Sequence, residues 1–275
     1  MKHLRSFFAV LLAAAVCAAV VLFSGCGASV QVQQPTIPGE RGSIHATLTT
    51  PANAENMPAV VICHGFTGNR QLDGHAKPLA KTLAQHGIAS IAIDFAGSGE
   101  SEEPFTAYTP ANMRDDITSA ITYLTDTVGA DPERIGLLGH SMGSFYARQY
   151  LCEWGDELDG AIIMGTGFQP KALVQLARTI CRVLAVFHGW HYRSKLVARL
   201  SFLGYNKGLE GRTAHDWLNR DPVEVDRYRA DERCTFIFTL NAYYSMFSGI
   251  LRLHDPAFLA KMPKDLPLLF LAGDA

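Results

Sequence analysis

The stretch Arg134-Ile-Gly-Leu-Leu-Gly-His-Ser-Met-Gly-Ser-Phe-Tyr-Ala-Arg148 decides the fold. Ile135, Leu137 and Leu138 read as a buried strand, and Phe145, Ala147, Tyr150 and Leu151 as one face of a helix. Ser141 stands at the junction, between Gly139 and Gly143, in the pattern G-x-S-x-G. Side chains two residues either side of so sharp a bend would collide, and the two glycines relieve that crowding. The pattern alone arises by chance in a chain with 24 glycines. A strand before it and a helix after it give it meaning: the serine hydroxyl is expected to project above a sheet, with the Met142 amide facing the place where an oxyanion would form. An enzyme working through a serine nucleophile is the expectation.

Working outward, Pro58-Ala-Val-Val-Ile-Cys63, Ile88 to Asp94 and Gly160 to Met164 are short continuous apolar runs. Such runs suit strands covered on both faces of a parallel sheet. Between them lie helical patterns. His75–His86 carries Leu79 and Leu83 and stops at Gly87. Thr109-Pro110 supplies a cap and a first-turn proline for a stripe through Met113, Ile117, Ala120, Ile121, Leu124 and Val128, closed by Gly129. Ser43–Thr50 alternates as an antiparallel edge strand does. Strands and helices in alternation predict an α/β fold with a mostly parallel sheet and flanking helices. The core is assigned to residues 42–166. From 167 to 264 the pattern is helical and rich in aromatic residues, an inserted cap over the active site, and Leu266–Leu271 returns to the sheet within 265–275.

Composition sets the remaining bounds. The 275 residues, 48% hydrophobic and 18% charged, are enough for one large α/β domain. A formal charge of −2 gives no electrostatic reason to expect nucleic acid. Lys2, His3 and Arg5 precede an apolar run from Phe7 to Phe23, which reads as a secretory signal over residues 1–25. Phe23-Ser-Gly-Cys26 resembles a bacterial lipobox, with phenylalanine where leucine is usual, making Cys26 a lipidation site and residues 26–41 a tether. The expected location is the bacterial cell envelope, with the membrane surface as a partner through that lipid. An uncleaved N-terminal anchor is the alternative, although the run is shorter than the roughly 20 residues a spanning helix needs. Cys63, Cys152, Cys181 and Cys234 sit in apolar stretches as buried thiols, with one bridge open. His188-Gly-Trp-His191 lacks a third ligand nearby, and no motif calls for a metal or cofactor.

Three motifs together carry a resemblance: His64-Gly-Phe-Thr-Gly-Asn69, Asp94-Phe-Ala-Gly-Ser-Gly-Glu-Ser101 and Gly139-His-Ser-Met-Gly143. The chain resembles α/β-hydrolases of the serine aminopeptidase-like, monoacylglycerol lipase and lysophospholipase group, and its first half is similar to bacterial cinnamoyl esterases. The resemblance implies that Phe66 and Met142 supply the two oxyanion amides, that Gly65 permits close backbone approach, and that His64 orients its loop. It implies that Asp94 and the glycines after it shape a turn. It further implies an acid in a G-x-x-D pattern after the last strand, then a histidine. Here Gly273 is followed by Asp274 and Ala275, so that acid would fall one place past the end. Asp274 lies two places early, and His188, His191, His215 and His254 all precede the strand. A fragment lacking the last strand and helix, weak or inactive as it stands, is the expectation. The implied substrate is a small-molecule lipid ester, a monoacylglycerol or lysophospholipid. Alternatives are a cinnamoyl or small-ester esterase, a serine aminopeptidase, or a non-catalytic exported binding lipoprotein.

Overall fold

The computed structural model describes residues 29–65, 68–104, 107–230 and 235–272. Eight strands form one sheet: β1 (Val30–Gln33), β2 (Thr36–Pro38), β3 (Ser43–Pro51), β4 (Ala59–Cys63), β5 (Ala89–Ile93), β6 (Ile135–His140), β7 (Gly160–Met164) and β8 (Leu268–Leu271). Their order is β1-β3-β5-β4-β6-β7-β8, with β2 on β3. The pairs from β5 through β8 are parallel, and β3 is antiparallel to β1, β2 and β5. Every residue of β4 and β5 is buried, as central strands with both faces covered require.

The covering helices follow their sequence signals. Helix α1 (Ala76–Gln85) buries Leu83 and ends before Gly87, whose φ of +79° suits glycine. Helix α2 (Pro110–Thr122) starts where the Thr109 hydroxyl accepts the Asn112 N–H at 3.3 Å. Met113, Ile117, Ala120 and Leu124 are fully buried along it. The helix then widens over Tyr123–Thr127, where Val128 N–H reaches the Tyr123 carbonyl five residues back at 3.1 Å. That extra residue turns the expected stripe off its face, and Val128 is only half-buried. Helix α3 (Met142–Trp154) follows β6 directly.

Three expectations change. Residues 30–38 are not a free tether, because β1 and β2 pair with β3. Arg41 is likewise held, bonding Asp116 at 2.8 Å and Asp115 at 3.0 Å on α2. For the same reason β3 is no edge strand; β1 and β5 flank it. β8 begins after Pro267 and is half-buried, with Phe270 exposed, since it is the outermost described strand on its side of the sheet. The signal segment and Cys26 lie outside the described residues, as does Cys234. Cys63, Cys152 and Cys181 are buried free thiols.

The described residues up to Phe168, with those from Arg252 on, form one compact unit, and Gln169–Leu251 form a second. The second unit is helical: α4 (Lys171–His188), α5 (Lys195–Ser201), α6 (Pro222–Ala230) and most of α7 (Leu240–Arg252). A short helix, α8 (Pro256–Leu259), precedes β8. Aromatic packing holds the second unit together: Trp217 lies 5.4 Å from Phe202 and 4.9 Å from Tyr205, ring centre to ring centre. Trp190 meets Tyr244 at 5.2 Å, and Leu240 N–H bonds the Tyr192 carbonyl at 2.9 Å, fixing the start of α7.

Candidate active site

The carboxyl ends of β4, β6 and β7 converge, because parallel neighbours in register finish at the same edge. Cys63 pairs with Gly139, and His140 with Met164. The chain leaving β4 and the chain leaving β7 therefore flank the residue after β6, which is Ser141.

Ser141 has φ 52° and ψ −120°, a conformation that a non-glycine residue rarely adopts. Three hydrogen bonds hold it there. Its N–H donates to the Met164 carbonyl at 2.8 Å, and its carbonyl accepts from the Ser144 N–H at 3.0 Å and the Ser144 hydroxyl at 2.5 Å. Met142, the next residue, opens α3, so its amide has no acceptor within the helix. The glycines are steric necessities. A Cβ on Gly139 would lie 2.6 Å from the Gly143 carbonyl oxygen and 2.7 Å from the Ala147 Cβ. One on Gly143 would lie 2.4 Å from the His64 carbonyl oxygen. One on Gly65 would lie 2.8 Å from the Ser141 Cβ.

His64 is buried with both ring nitrogens engaged. Nδ1 lies 2.7 Å from the Gly65 carbonyl oxygen, a pure acceptor, so Nδ1 carries the proton. Nε2 then accepts the Phe95 N–H at 3.3 Å and sits 3.0 Å from the Ser98 hydroxyl. A ring so committed ties the β4 loop to the β5 loop. The Gly65 carbonyl also accepts from Gly68 N–H at 3.1 Å and the Tyr108 hydroxyl at 3.3 Å. Phe66 lies outside the described residues.

Asp94 closes the turn after β5. Its carboxylate accepts the Arg70 N–H at 2.7 Å, the Glu100 N–H at 3.0 Å and the Arg70 guanidinium, which also bonds Glu100 at 2.7 Å. Gly99, at φ +55°, is the one residue that fits there, as any Cβ would meet the Asp94 carboxylate. Sequence reasoning missed Arg70. The signal was present: an aspartate ending a wholly apolar strand needs a cation or several N–H donors.

One thiol and one carboxyl group nearby are shifted. Burial, and then the Asp116 charge, push the Cys63 thiol far up, so it stays protonated and offers no rival nucleophile. Burial raises Asp116 to about 6, against the pull of the Ala96 N–H and Arg41. Among the described residues no group of three His, Cys, Asp or Glu side chains could hold a metal. His188 stacks on Tyr192 at 4.5 Å.

Residues 54–275 match the model of the family described as serine aminopeptidase, S33. The chain belongs to this family. It is 30% identical over 131 residues to the thiohydrolase aneE of Aspergillus aculeatus, covering 47% of this chain and 35% of that one. A carboxyl esterase from Bacillus coagulans superposes with a TM-score of 0.70 at 19% identity, over 87% of this chain and 78% of that one. A monoglyceride lipase from Saccharomyces cerevisiae superposes with a TM-score of 0.58 at 14% identity, over 92% and 90%. The fold is that of the α/β-hydrolases. The chain spans about a third of the length of the curated relatives it matches.

Proposed function

We propose that this serine aminopeptidase-family protein is a carboxylic-ester hydrolase that cleaves a lipid ester, a monoacylglycerol or lysophospholipid, through an acyl-enzyme on Ser141. One observation carries the reading: Ser141 is held at φ 52° between β6 and α3, against the Gly65 backbone. Such strain persists where a reactive group must be presented, and a serine with no chemical task gains nothing from it. A curated relative carries the name thiohydrolase, which agrees with this reading.

In this mechanism the Ser141 Oγ attacks the ester carbonyl carbon as its proton passes to a base, the carbonyl oxygen becomes an oxyanion, and the alcohol leaves with that proton. Water then adds to the acyl-serine and releases the fatty acid. The amides of Met142 and Phe66 receive the oxyanion, which preorganised donors stabilise without solvent reorientation. His64 serves as loop brace and not as base, since both its nitrogens are taken. The family's chain order assigns the base and its orienting acid to positions after β8. Membership of the cell envelope, through lipid on Cys26, completes the reading.

Fluorophosphonate labelling of the full natural protein tests it. Covalent label on Ser141, abolished in Ser141→Ala, is the expected result, followed by faster release from monoacylglycerols and lysophospholipids than from aromatic esters or aminoacyl amides. A folded protein that takes no label would overturn the nucleophile. Preference for hydroxycinnamate esters would overturn the lipid. Incorporation of a clickable palmitate, lost in Cys26→Ala, tests the anchor.

A further inference from the structure

Among the described residues of the first compact unit, every arginine but one holds a carboxylate. Arg41 pairs with Asp116, Arg70 with Asp94, Arg134 with Asp131, and Arg114 and Arg252 share Glu153. Arg148 on α3 has no such partner among them: its guanidinium reaches the Thr166 hydroxyl, at 3.5 Å. It is nonetheless half-buried. Burial lowers its pKa, and the group that works against that fall is the Cys152 thiol, not a carboxylate. A cation taken out of water without an anion costs stability, and proteins otherwise pair such groups. A charge kept in that state argues for an anion supplied by a ligand.

Position says which anion. Arg148 lies about two turns of α3 beyond Ser141, but helical side chains lean back toward the N-terminus. The bond to Thr166 shows that this one does. Thr166 stands two residues past Met164, whose carbonyl holds the Ser141 N–H at 2.8 Å, and a Cβ on the intervening Gly165 would lie 3.7 Å from the Ser141 nitrogen. The guanidinium is thus carried to the carboxyl edge of the sheet, beside the loop that flanks Ser141. Two further cations give this corner the same sign. Arg252 and Lys261 lie over the Phe258 ring, 4.1 and 5.9 Å from its centre, and their charges act on the Cys152 thiol together with that of Arg148. Glu153 opposes them, but it is already shared between Arg114 and Arg252. Of the two lipids proposed for the Ser141 chemistry, the lysophospholipid carries the complementary charge. Its phosphate follows the scissile ester by one glycerol unit, and a guanidinium offers phosphate paired in-plane N–H donors. Resting on the acyl-enzyme reading above, we infer that Arg148 receives the phosphate of a lysophospholipid substrate and sets its preference over the uncharged monoacylglycerol.

Binding to the full natural protein carrying Ser141→Ala tests this apart from the reaction. Calorimetric titration with a short-chain monoacylglycerol 3-phosphate and with the monoacylglycerol of the same chain should show the phosphate ester bound more tightly. Adding Arg148→Gln should weaken the phosphate ester by about 10- to 100-fold, the scale of a hydrogen bond to a charged group, and Arg148→Lys should restore part of it. With Ser141 intact, the ratio of kcat/KM for the phosphate ester to that for the monoacylglycerol should fall by a similar factor in Arg148→Gln, through KM. The thermal midpoint of Arg148→Gln should stay level or rise, since no internal ion pair is broken. A marked fall would mean that the guanidinium belongs to a carboxylate of the chain itself, and would overturn the inference. So would equal binding of the two esters, or a loss in Arg148→Gln that is the same for both. Because binding is read in Ser141→Ala, a Ser141 that takes no fluorophosphonate would strike the acyl-enzyme and leave the role of Arg148 to be decided by the titrations.

Discussion

Gly65 and Ser141 stand so close that a methyl group on the glycine would lie 2.8 Å from the serine Cβ and 3.3 Å from its Oγ. Nothing flexible separates them, because Gly65 follows directly on β4's tail and Ser141 is pinned to Met164. Gly65→Ala should therefore displace the hydroxyl and not the fold. Esterase turnover of the natural protein should fall about 100-fold or more, the scale that a misplacement near 1 Å produces, with a thermal midpoint close to the parent. Unchanged turnover would mean the loop yields instead.

The Ser141 backbone gives a second test that needs no substrate. At φ 52° and ψ −120° any side chain is strained, and glycine alone is at ease. Ser141→Gly should unfold in urea with a stability about 1–2 kcal/mol above that of Ser141→Ala. Equal stabilities would show that the elbow stores no strain.

Asp94 and Arg70 form a buried pair, 1% and 7% exposed. Asp94→Ala leaves the guanidinium with only the solvent-facing Glu100 and frees two backbone N–H groups. A loss of about 3–5 kcal/mol is expected by chemical denaturation, as for other half-removed buried pairs. Arg70→Met, which removes the cation from the opposite side, should cost less.

Asp116 predicts a pH slope. Its folded value, about 6, lies above the unfolded value of 3.8. Between those two pH values the folded chain keeps a proton that the unfolded chain has released. Stability from this group is thus greatest below pH 3.8 and declines as pH rises through 6, by about 3 kcal/mol at most. Urea unfolding at pH 5 and pH 7.5 should show the slope, and Asp116→Asn should flatten it. An identical slope in that variant would assign it elsewhere.

The sequence declared β4, β5, β6 and β7 because each is a continuous apolar run bounded by turn residues, and it declared α2 through its Thr109 cap and Gly129 stop. It placed Ser141 because Gly139 and Gly143 are a local requirement of a local bend. What it hid was non-local. Val30-Gln-Val-Gln33 and Thr36–Pro38 look like linker when read alone, and become strands only because β3 offers them hydrogen-bonding partners. Arg41 gave no local sign, and the only sign of Arg70 stood far along the chain, in the aspartate that ends β5. The single-residue widening after Thr122 likewise had no marker in the apolar period.

The pairing of β1 with β3 would shorten the leash of the proposed anchor. Were Cys26 to carry the proposed lipid, Gly27, Ala28 and Ser29 alone would separate it in sequence from β1. At full stretch that is roughly 14 Å, less than a third of what an unpaired segment reaching Arg41 would offer. On that reading the protein would work on what lies in or beside its own leaflet, and would not sweep the surrounding fluid for soluble prey.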